Sequence, residues 1–450
     1  MFNRRRFIQA GTISLLAPLS VYGNKRNKTG LLGNTLTEPV RKIKVEDEVD
    51  VIVCGGGPAG FAAAVAAARN GANVRLMELQ GCLGGIWTSG LMTYFIDHEN
   101  KGGIMRELLE VQEKDGVLHR NLDVELTKLW LEKFCIDAGV KILYHTRIVG
   151  TYSEKKKLRT IVTENGSGRQ AWNAKVFIDC TGNGDLAARA GCNFDFGHPE
   201  TGVTQPMSLC ALLTGIDIND LKERNFLENL PHMGHAKANL LDEIRRGGAD
   251  CSYGNPTLWA IKDGLYSLMS NHEYNVKSLD AKDITNATIN ARQEVYNQVE
   301  ALKSLSGIWK DIRLVATANH IGMREGRRIH GRYLITLDDL KRGARFDDAV
   351  CRVTVAVNHH SLNAVKSLTG ENYTFKTEPW DVPLRSLIAK DLDGLMMAGR
   401  CISGDFWALG SYRMTGSAVA MGEAAGIVAA KAVQTNIFPH QVDYKELTRS

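Results

Sequence analysis

The sequence predicts an α/β fold organised around one unit near its start, and three observations predict it. Residues Asp50–Glu78 read as an apolar strand, a glycine turn, an alanine-rich helix and a second strand that ends on an acid. The glycines of the turn, Gly55, Gly57 and Gly60, fall at the spacing G-x-G-x-x-G. Short apolar runs ending in glycine turns return far along the chain, at Lys175–Asp185 and at Leu392–Arg400.

Within the first unit, Val51, Ile52 and Val53 suit a parallel strand covered on both faces. The first glycine permits a sharp turn, the second lets a pyrophosphate approach the backbone, and the third lets helix and sheet pack closely. Pro58 and Ala59 lie between the second and third, where the helix begins. Ala62, Ala63, Ala64, Ala66, Ala67 and Ala68 give that helix high propensity and a small face. Asn70-Gly71 stops it. Val74, Leu76 and Met77 form the second strand, and Glu78 ends it where an acid accepts hydrogen bonds from an adenosine ribose. The helix N-terminus offers N–H groups and partial positive charge to phosphates. A glycine triplet alone also occurs as a turn in unrelated α/β units. With the strand, the alanine helix and the acid, it marks a Rossmann-like dinucleotide site.

The chain has 450 residues, 44% apolar and 23% charged, as expected for a soluble protein of two or three domains. Its net charge is +5, and Arg4, Arg5 and Arg6 supply three of the positive charges, so nothing calls for nucleic acid. Those arginines, in Asn3–Gln9, precede a weakly apolar stretch to Val21, the form of a twin-arginine export signal over residues 1–23. A basic N-terminus on a cytosolic protein is the alternative. The stretch is too short for a permanent membrane anchor. Residues 24–46 read as a linker, and the expected destination is the periplasm or beyond. Nine cysteines include no C-x-x-C, and Cys54 and Cys180 end apolar strands as small buried thiols. The twin-arginine route carries folded proteins, so buried thiols and a cofactor loaded before export are consistent with it.

Glycine density over Gly81–Gly90 implies backbone passing close to something flat or bulky, and Leu83, Ile86 and Trp87 argue against a loose loop. Helices are expected over Met105–Val111 and Val124–Ala138, and a strand over Lys141–Val149. Val149–Ala174 reads as a β-meander turning at Glu154–Lys157 and Asn165–Gly168. Lys175–Asp185 is a second buried strand running into a Thr181-Gly182 turn and a helix Leu186–Ala190. From Asn193 to Lys390 the βαβ rhythm is lost. Asp283–Trp309 is a long amphipathic helix, Arg332–Leu337 is strand-like, and Val353, Val355 and Val357 alternate. Residues 47–192 and 391–450 are thus expected to form one domain, with a second, α+β, substrate or cap domain over 193–390. Ser417–Ala430 is a further small-residue helix.

Several segments carry a resemblance: GGGPAG at 55–60, CLGG at 82–85, DCTGNGDLAARAG at 179–191, TQPMSL at 204–209, GMREGRRIHGRYLITLDDL at 322–340, and AGRCIS with GSYRM and GEAAG after 398. They resemble secreted bacterial FAD-dependent oxidoreductases with a glutathione-reductase-like flavin domain, over about Val49 to Ala430. The resemblance implies non-covalent FAD. It places Gly55, Gly57, Pro58, Ala59 and Gly60 at the pyrophosphate and Glu78 at the ribose. Leu83, Gly84 and Gly85 would lie along the pyrophosphate and ribityl chain. Ile148 would pair its backbone with adenine, and Thr181 and Gly182 would pass the adenosine half. Gly399, with Arg400 beside it, and Asp405 would contact the ribityl chain, although related chains often carry His where Asp405 stands. The helix start near Ser417 would point at the flavin pyrimidine.

A flavin carries the hard step of C–H oxidation while the protein places the substrate. Arg324, Arg327 and Arg328 lie in the family-like run, and Arg324 or Arg328 could hold an anionic or polyhydroxylated substrate through forked hydrogen bonds. An ion pair with Glu325 or Asp338 is the structural alternative. Arg413 could stabilise charge on the reduced ring. His359 and His360 are candidate general bases, with His98 and His320 behind them. A covalent link through Cys82 is disfavoured, and no metal-ligand spacing is present. The expected activity is dehydrogenation of a small polar or carbohydrate-like substrate, with the electron acceptor open. A redox-silent FAD-dependent lyase, isomerase or binding protein is the alternative. A disulfide reductase falls away because Cys82 has no partner at the C-x-x-x-x-C spacing, where Trp87 stands.

Overall fold

Strand β1 (Val45–Cys54) ends in the fully buried run Val51–Cys54 and lies inside a mixed sheet. The computed structural model describes residues 31–32, 35–36, 38, 40–117, 120–228, 235–262, 264–365 and 375–444. The expected twin-arginine segment lies outside them. Residues 1–43 form a unit of their own, in which Leu31–Leu32 pairs antiparallel with Thr35–Leu36. The expected linker gives way to β1 at Val45.

Helix α1 (Pro58–Arg69) opens on a proline, whose missing N–H costs a first turn nothing, and closes at Asn70 before Gly71 at φ +82°. Strand β2 (Val74–Met77) follows, then α2 (Gly103–Lys114) and α3 (Val124–Asp137). Asp123 caps α3, accepting from the N–H groups of Glu125 and Leu126 at 3.0 and 3.2 Å. Strand β3 (Lys141–Leu143) leads to the meander β4 (Arg147–Glu154), β5 (Lys157–Asn165) and β6 (Gly168–Asp179). Strand β6 does two jobs. On one edge its first half pairs antiparallel with β5, while Phe177–Asp179 pairs parallel with a late strand, Leu395–Met397. On the other edge it runs parallel to β1. The parallel order, β3-β2-β1-β6-late strand, brings the chain's last third back beside its first. These contacts agree with an α/β flavoprotein-type sheet carrying an inserted meander.

Short helix α4 (Asp185–Arg189) follows β6. A second, antiparallel sheet then forms from β7 (Ala211–Thr214), β8 (Thr257–Lys262), β9 (Leu265–Met269) and β10 (Arg313–Thr317), in the order β8-β9-β7-β10. Helices α5 (Ala236–Arg246) and α6 (Ala281–Ser304) belong to the same stretch. It has its own apolar cluster, in which Leu213, Leu240, Ile244, Tyr266, Val299 and Trp309 are buried together. Residues beyond Ala318, by contrast, contribute to the main core.

Three expectations are corrected. The helix expected to reach Trp309 stops at Ser304, because Ser306 and Gly307 turn left-handed at φ 55° and 59°. Arg332–Leu337 forms no strand, since Thr336 instead caps a short helix, Leu337–Lys341, through a capping box with Asp339. The alternating valines begin in β11 (Ala349–Val353), which pairs with β12 (Trp380–Pro383). The strand ends at Val353 because the N–H and Oγ1 of Thr354 donate to Asp97 instead.

After β13 (Leu395–Met397) come α7 (Phe406–Tyr412) and α8 (Thr415–Thr435). Helix α8 is apolar and long enough to cross a membrane by composition, yet most of it is buried as a core helix. It lies on α1 at very short range. A Cβ on Gly422 would stand 2.0 Å from the carbonyl oxygen of Ala59, and one on Gly426 would stand 2.3 Å from that of Ala63. Gly422→Ala and Gly426→Ala are therefore expected to destabilise the protein by about 1–3 kcal/mol each, read as a lowered urea midpoint, despite the better helix propensity of alanine.

Candidate active site

The C-terminal ends of β1 and β6 meet at the glycine turn, where each glycine has a separate duty. Gly55 sits at φ +96°, and a Cβ there would stand 2.4 Å from the carbonyl oxygen of Cys180. A Cβ on Gly60 would come 1.7 Å from the carbonyl oxygen of Gly55. A Cβ on Gly57 would meet nothing within 4 Å. Two glycines are thus required by packing, and the one between them faces open space at the start of α1, as a phosphate-binding turn requires. Pro58 and Ala59 form that first turn.

Two more loops close on the same point. Gly84 donates its N–H to the Gly56 carbonyl at 2.8 Å, and a Cβ on Gly85, at φ +52°, would stand 3.1 Å from the Gly57 α-carbon. Leu83 and Trp87 anchor this loop and are fully buried. Gly399 is the third approach, where a Cβ would stand 3.2 Å from that of Ala59 and 3.8 Å from that of Ala418. It therefore lies against the N-terminal turns of both α1 and α8.

Glu78 is 7% exposed, and its two oxygens accept from Gly56 N at 2.5 Å and Gln80 N at 2.6 Å. Burial raises its pKa, against the pull of those N–H groups. The carboxylate shapes the turn first, and its remaining lone pairs are what a ribose could use. Thr146 N donates to the Glu78 carbonyl at 2.9 Å, so the start of β4, with Ile148, begins at this corner. Thr181 Oγ1 donates to Asp179 at 2.8 Å and accepts from Asp185 N at 2.8 Å. Arg400 donates through Nε to Gly182 O at 3.0 Å, through Nη2 to Asn183 Oδ1 at 2.7 Å, and through Nη1 to Met323 O. It ties the Gly182 turn to the segment before Arg324.

Asp405 and Ser417 are both bonded within the protein. Asp405 caps α7, accepting from Ala408 N at 2.7 Å, and its other oxygen accepts from Leu337 N at 2.8 Å. Ser417 is fully buried, and its hydroxyl donates to Asp97 at 2.5 Å. Asp97 also accepts from Thr354 Oγ1 at 2.6 Å and Lys101 Nζ at 3.0 Å. Burial alone would raise the Asp97 carboxyl, but the bonds from Ser417 and Thr354 and the Lys101 charge hold it below the ordinary range. Asp97 is thus the anchor of the α8 start, and its side chain rather than Ser417 is the residue that sequence reasoning missed there.

The predicted catalytic residues gather from three segments, around Arg324, His359-His360 and Arg413. Arg324, 9% exposed, donates through Nη1 to Pro206 O at 2.6 Å and Ser208 Oγ at 3.0 Å. Arg413 donates to Asn358 O at 2.8 Å, and burial, with Arg324 next, lowers its pKa to about 9. Among the described residues neither these two nor Arg400 forms an ion pair. The acid in their midst is Glu325, which accepts from Gln205 N at 2.5 Å and faces Arg328 at 3.5 Å. Burial drives its carboxyl up to about 7. Arg327 lies apart, paired with Asp185 at 2.9 Å.

The two adjacent histidines separate in role. His359 Nε2 is 2.6 Å from the carbonyl oxygen of Phe406, and its ring packs on Phe406 and Trp407, so it is a structural bond to the start of α7. Burial, then Arg413, lowers its pKa to about 3. His360 faces the other way, with ring centres 4.9 Å from His272 and 5.8 Å from Tyr253. Burial, then Arg324, keeps it neutral. Its main-chain N–H donates to Gln205 Oε1 at 3.2 Å. His320 lies by Arg400 and Ser89 and is lowered by burial to about 4. His98 is not part of this group, and it packs on Phe95. Gln205, Tyr253 and His272 were not read from the sequence, where only the TQPMSL run around Gln205 gave a signal.

A family profile described as FAD dependent oxidoreductase matches residues 50–450. The chain belongs to that family. It is an FAD-dependent oxidoreductase, and the glycine cradle fits the cofactor: open space at Gly57, with three loops converging on it. Cys82 Sγ lies by the Thr88 and Ser89 hydroxyls. No curated protein matches the chain. Among solved structures it is similar to the flavin-dependent brominase Bmp2, at 13% identity over 90% of this chain and 82% of that one, with a TM-score of 0.46. A geranylgeranyl bacteriochlorophyll reductase-like protein from Thermoplasma acidophilum gives 14%, 90%, 83% and 0.45. The p-nitrophenol 4-monooxygenase PnpA from Pseudomonas putida DLL-E4 gives 12%, 64%, 70% and 0.42.

Two outcomes follow for this oxidoreductase. Gly57→Ala is expected to leave the unfolding temperature of the flavin-free protein unchanged and to weaken FAD affinity at least about tenfold, measured by flavin fluorescence titration. Glu325 binds its proton more tightly folded than unfolded, so stability falls as pH rises from the ordinary 4.5 towards about 7. Glu325→Gln should flatten that slope in unfolding temperatures recorded across the same pH window.

Proposed function

We propose that this oxidoreductase dehydrogenates an alcohol carbon of a small, polar, carbohydrate-like substrate. The observation that carries the reading is a neutral, buried His360 held beside Arg324 and Arg413, whose guanidiniums bond to carbonyl oxygens and form no ion pair among the described residues. Bound FAD supplies the two-electron acceptor. As the substrate C–H leaves with both its electrons, the O–H proton passes to His360 and the C–O bond becomes a carbonyl. His360 can receive it because burial keeps the imidazole unprotonated at neutral pH. Gln205 holds the backbone of this residue by accepting the His360 main-chain N–H, and the ring is placed by its aromatic contacts with Tyr253 and His272. The Arg324 and Arg413 guanidiniums stabilise negative charge growing on the substrate oxygen. Export by the twin-arginine route, with FAD bound before translocation, belongs to the same proposal.

The test is anaerobic mixing of the holoenzyme with sugars, sugar acids and polyols. Loss of flavin absorbance with one of them is the expected result, and conversion of a substrate with the flavin still oxidised would sink the reading in favour of redox-silent use of FAD. His360→Asn should slow that bleaching by about 10²–10⁴-fold without changing the spectrum of the resting enzyme.

A further inference from the structure

Buried polar atoms in folded proteins almost always have partners, and those that lack one call for a ligand, an ion or a catalytic role. Four such atoms come from the segments joined at the arginine cluster. Gln205 is 1% exposed, and its Nε2 has no partner. Its orientation is fixed, because Oε1 is the atom that can accept the N–H of His360 at 3.2 Å. His360 Nδ1, His359 Nδ1 and Arg413 Nε are likewise buried and unmatched. Arg324 Nη2 has as its partner only the soft thioether of Met269, at 3.8 Å.

The charges tell the same story. Among the described residues Arg324, Arg400 and Arg413 hydrogen-bond to carbonyl oxygens and neutral side chains rather than carboxylates, and Glu325 acts on Arg400 and Arg413 only through space. Glu325, the acid beside them, already takes the Gln205 N–H and the Arg328 guanidinium. A buried cation without a counter-ion is costly, and a bound anion removes the cost. Forked donors of this kind suit a carboxylate. Close to Arg324 lies the stacked pair Tyr253 and His272, ring centres 3.9 Å apart, which suits a small organic body more than a bare ion.

We infer that the substrate carries a carboxylate, held by Arg324 and Arg413 with Gln205 Nε2 as a third donor, so that the substrate is a hydroxy acid or sugar acid rather than a neutral polyol. This rests on the hydride-transfer reading of the same site. The bound carboxylate also offsets the positive field that Arg324 exerts on His360 and so makes that imidazole a better base when substrate is present.

Binding is measured on the FAD-loaded protein by flavin difference spectra and by thermal shift, both independent of turnover. The probes are D-gluconate, D-glucuronate and L-malate against neutral D-glucitol and D-glucose, with sulfate as the simple anion, at one ionic strength. One or more of the acids is expected to bind. Arg413→Gln is expected to weaken acid binding about tenfold to a hundredfold. Gln205→Glu keeps the acceptor for the His360 N–H but replaces the free donor with a negative oxygen, and it should abolish acid binding while the protein stays folded and yellow. The inference is overturned if neutral polyols bind as tightly as the acids, if sulfate competes on equal terms, if every acid fails to bind, or if both variants bind acids as before. An acid that binds and leaves the flavin oxidised defeats the hydride reading and leaves the carboxylate site standing. A neutral sugar that bleaches the flavin does the reverse.

Discussion

The carbonyl oxygen of Gly55 stands where a side chain on residue 60 would begin, and the flavin half of the molecule depends on that contact. It lets α1 leave the sheet at once and lie close along it. A flank of α1 is met in the same manner by α8, whose Gly422 and Gly426 leave room for the carbonyls of Ala59 and Ala63. The sheet and two helices are thus drawn together by absent side chains rather than by large interlocking ones. Close packing of this sort forfeits little dispersion energy, since backbone atoms fill the space that side chains would have taken. It also leaves the N-terminal turn of α1 at the point where three glycine loops converge.

The substrate side obeys a different constraint. Its wall is built from groups whose charge or hydrogen-bonding capacity the protein leaves unmet, with Arg324 and Arg413 answered by carbonyl dipoles and His360 and Gln205 holding idle ring and amide nitrogens. Neutral histidines among cations are mutually consistent, because burial and the guanidiniums push the imidazole pKa in the same direction. Such an arrangement trades stability for recognition, as binding sites commonly do.

Much of the flavin half was legible because its chemistry is local. The glycine spacing, the alanine helix and the terminal Glu78 each follow from constraints within about thirty residues, and the apolar Leu83 and Trp87 marked their loop as buried. The meander was legible from its two polar turns. What was not legible depended on partners far away in the chain. No local pattern shows that Asp405 caps α7 and holds Leu337, or that the Ser417 hydroxyl bonds to Asp97. His359 and His360 look alike in sequence, and only the Phe406 carbonyl separates them. The valine alternation after Cys351 was read correctly as burial, with Val353 and Val357 inward, but the backbone bond to Asp97 ends the strand early.

The knot around Asp97 has a bearing on how the molecule is made. Ser417 and Asp97 are 320 positions apart, and β13 enters beside β6 only after the second sheet has been completed. Contacts of such long sequence separation form late. A ribosome must therefore deliver nearly the whole polypeptide before any pocket exists to retain the dinucleotide, so cofactor capture is an event of the finished chain and not of the emerging one.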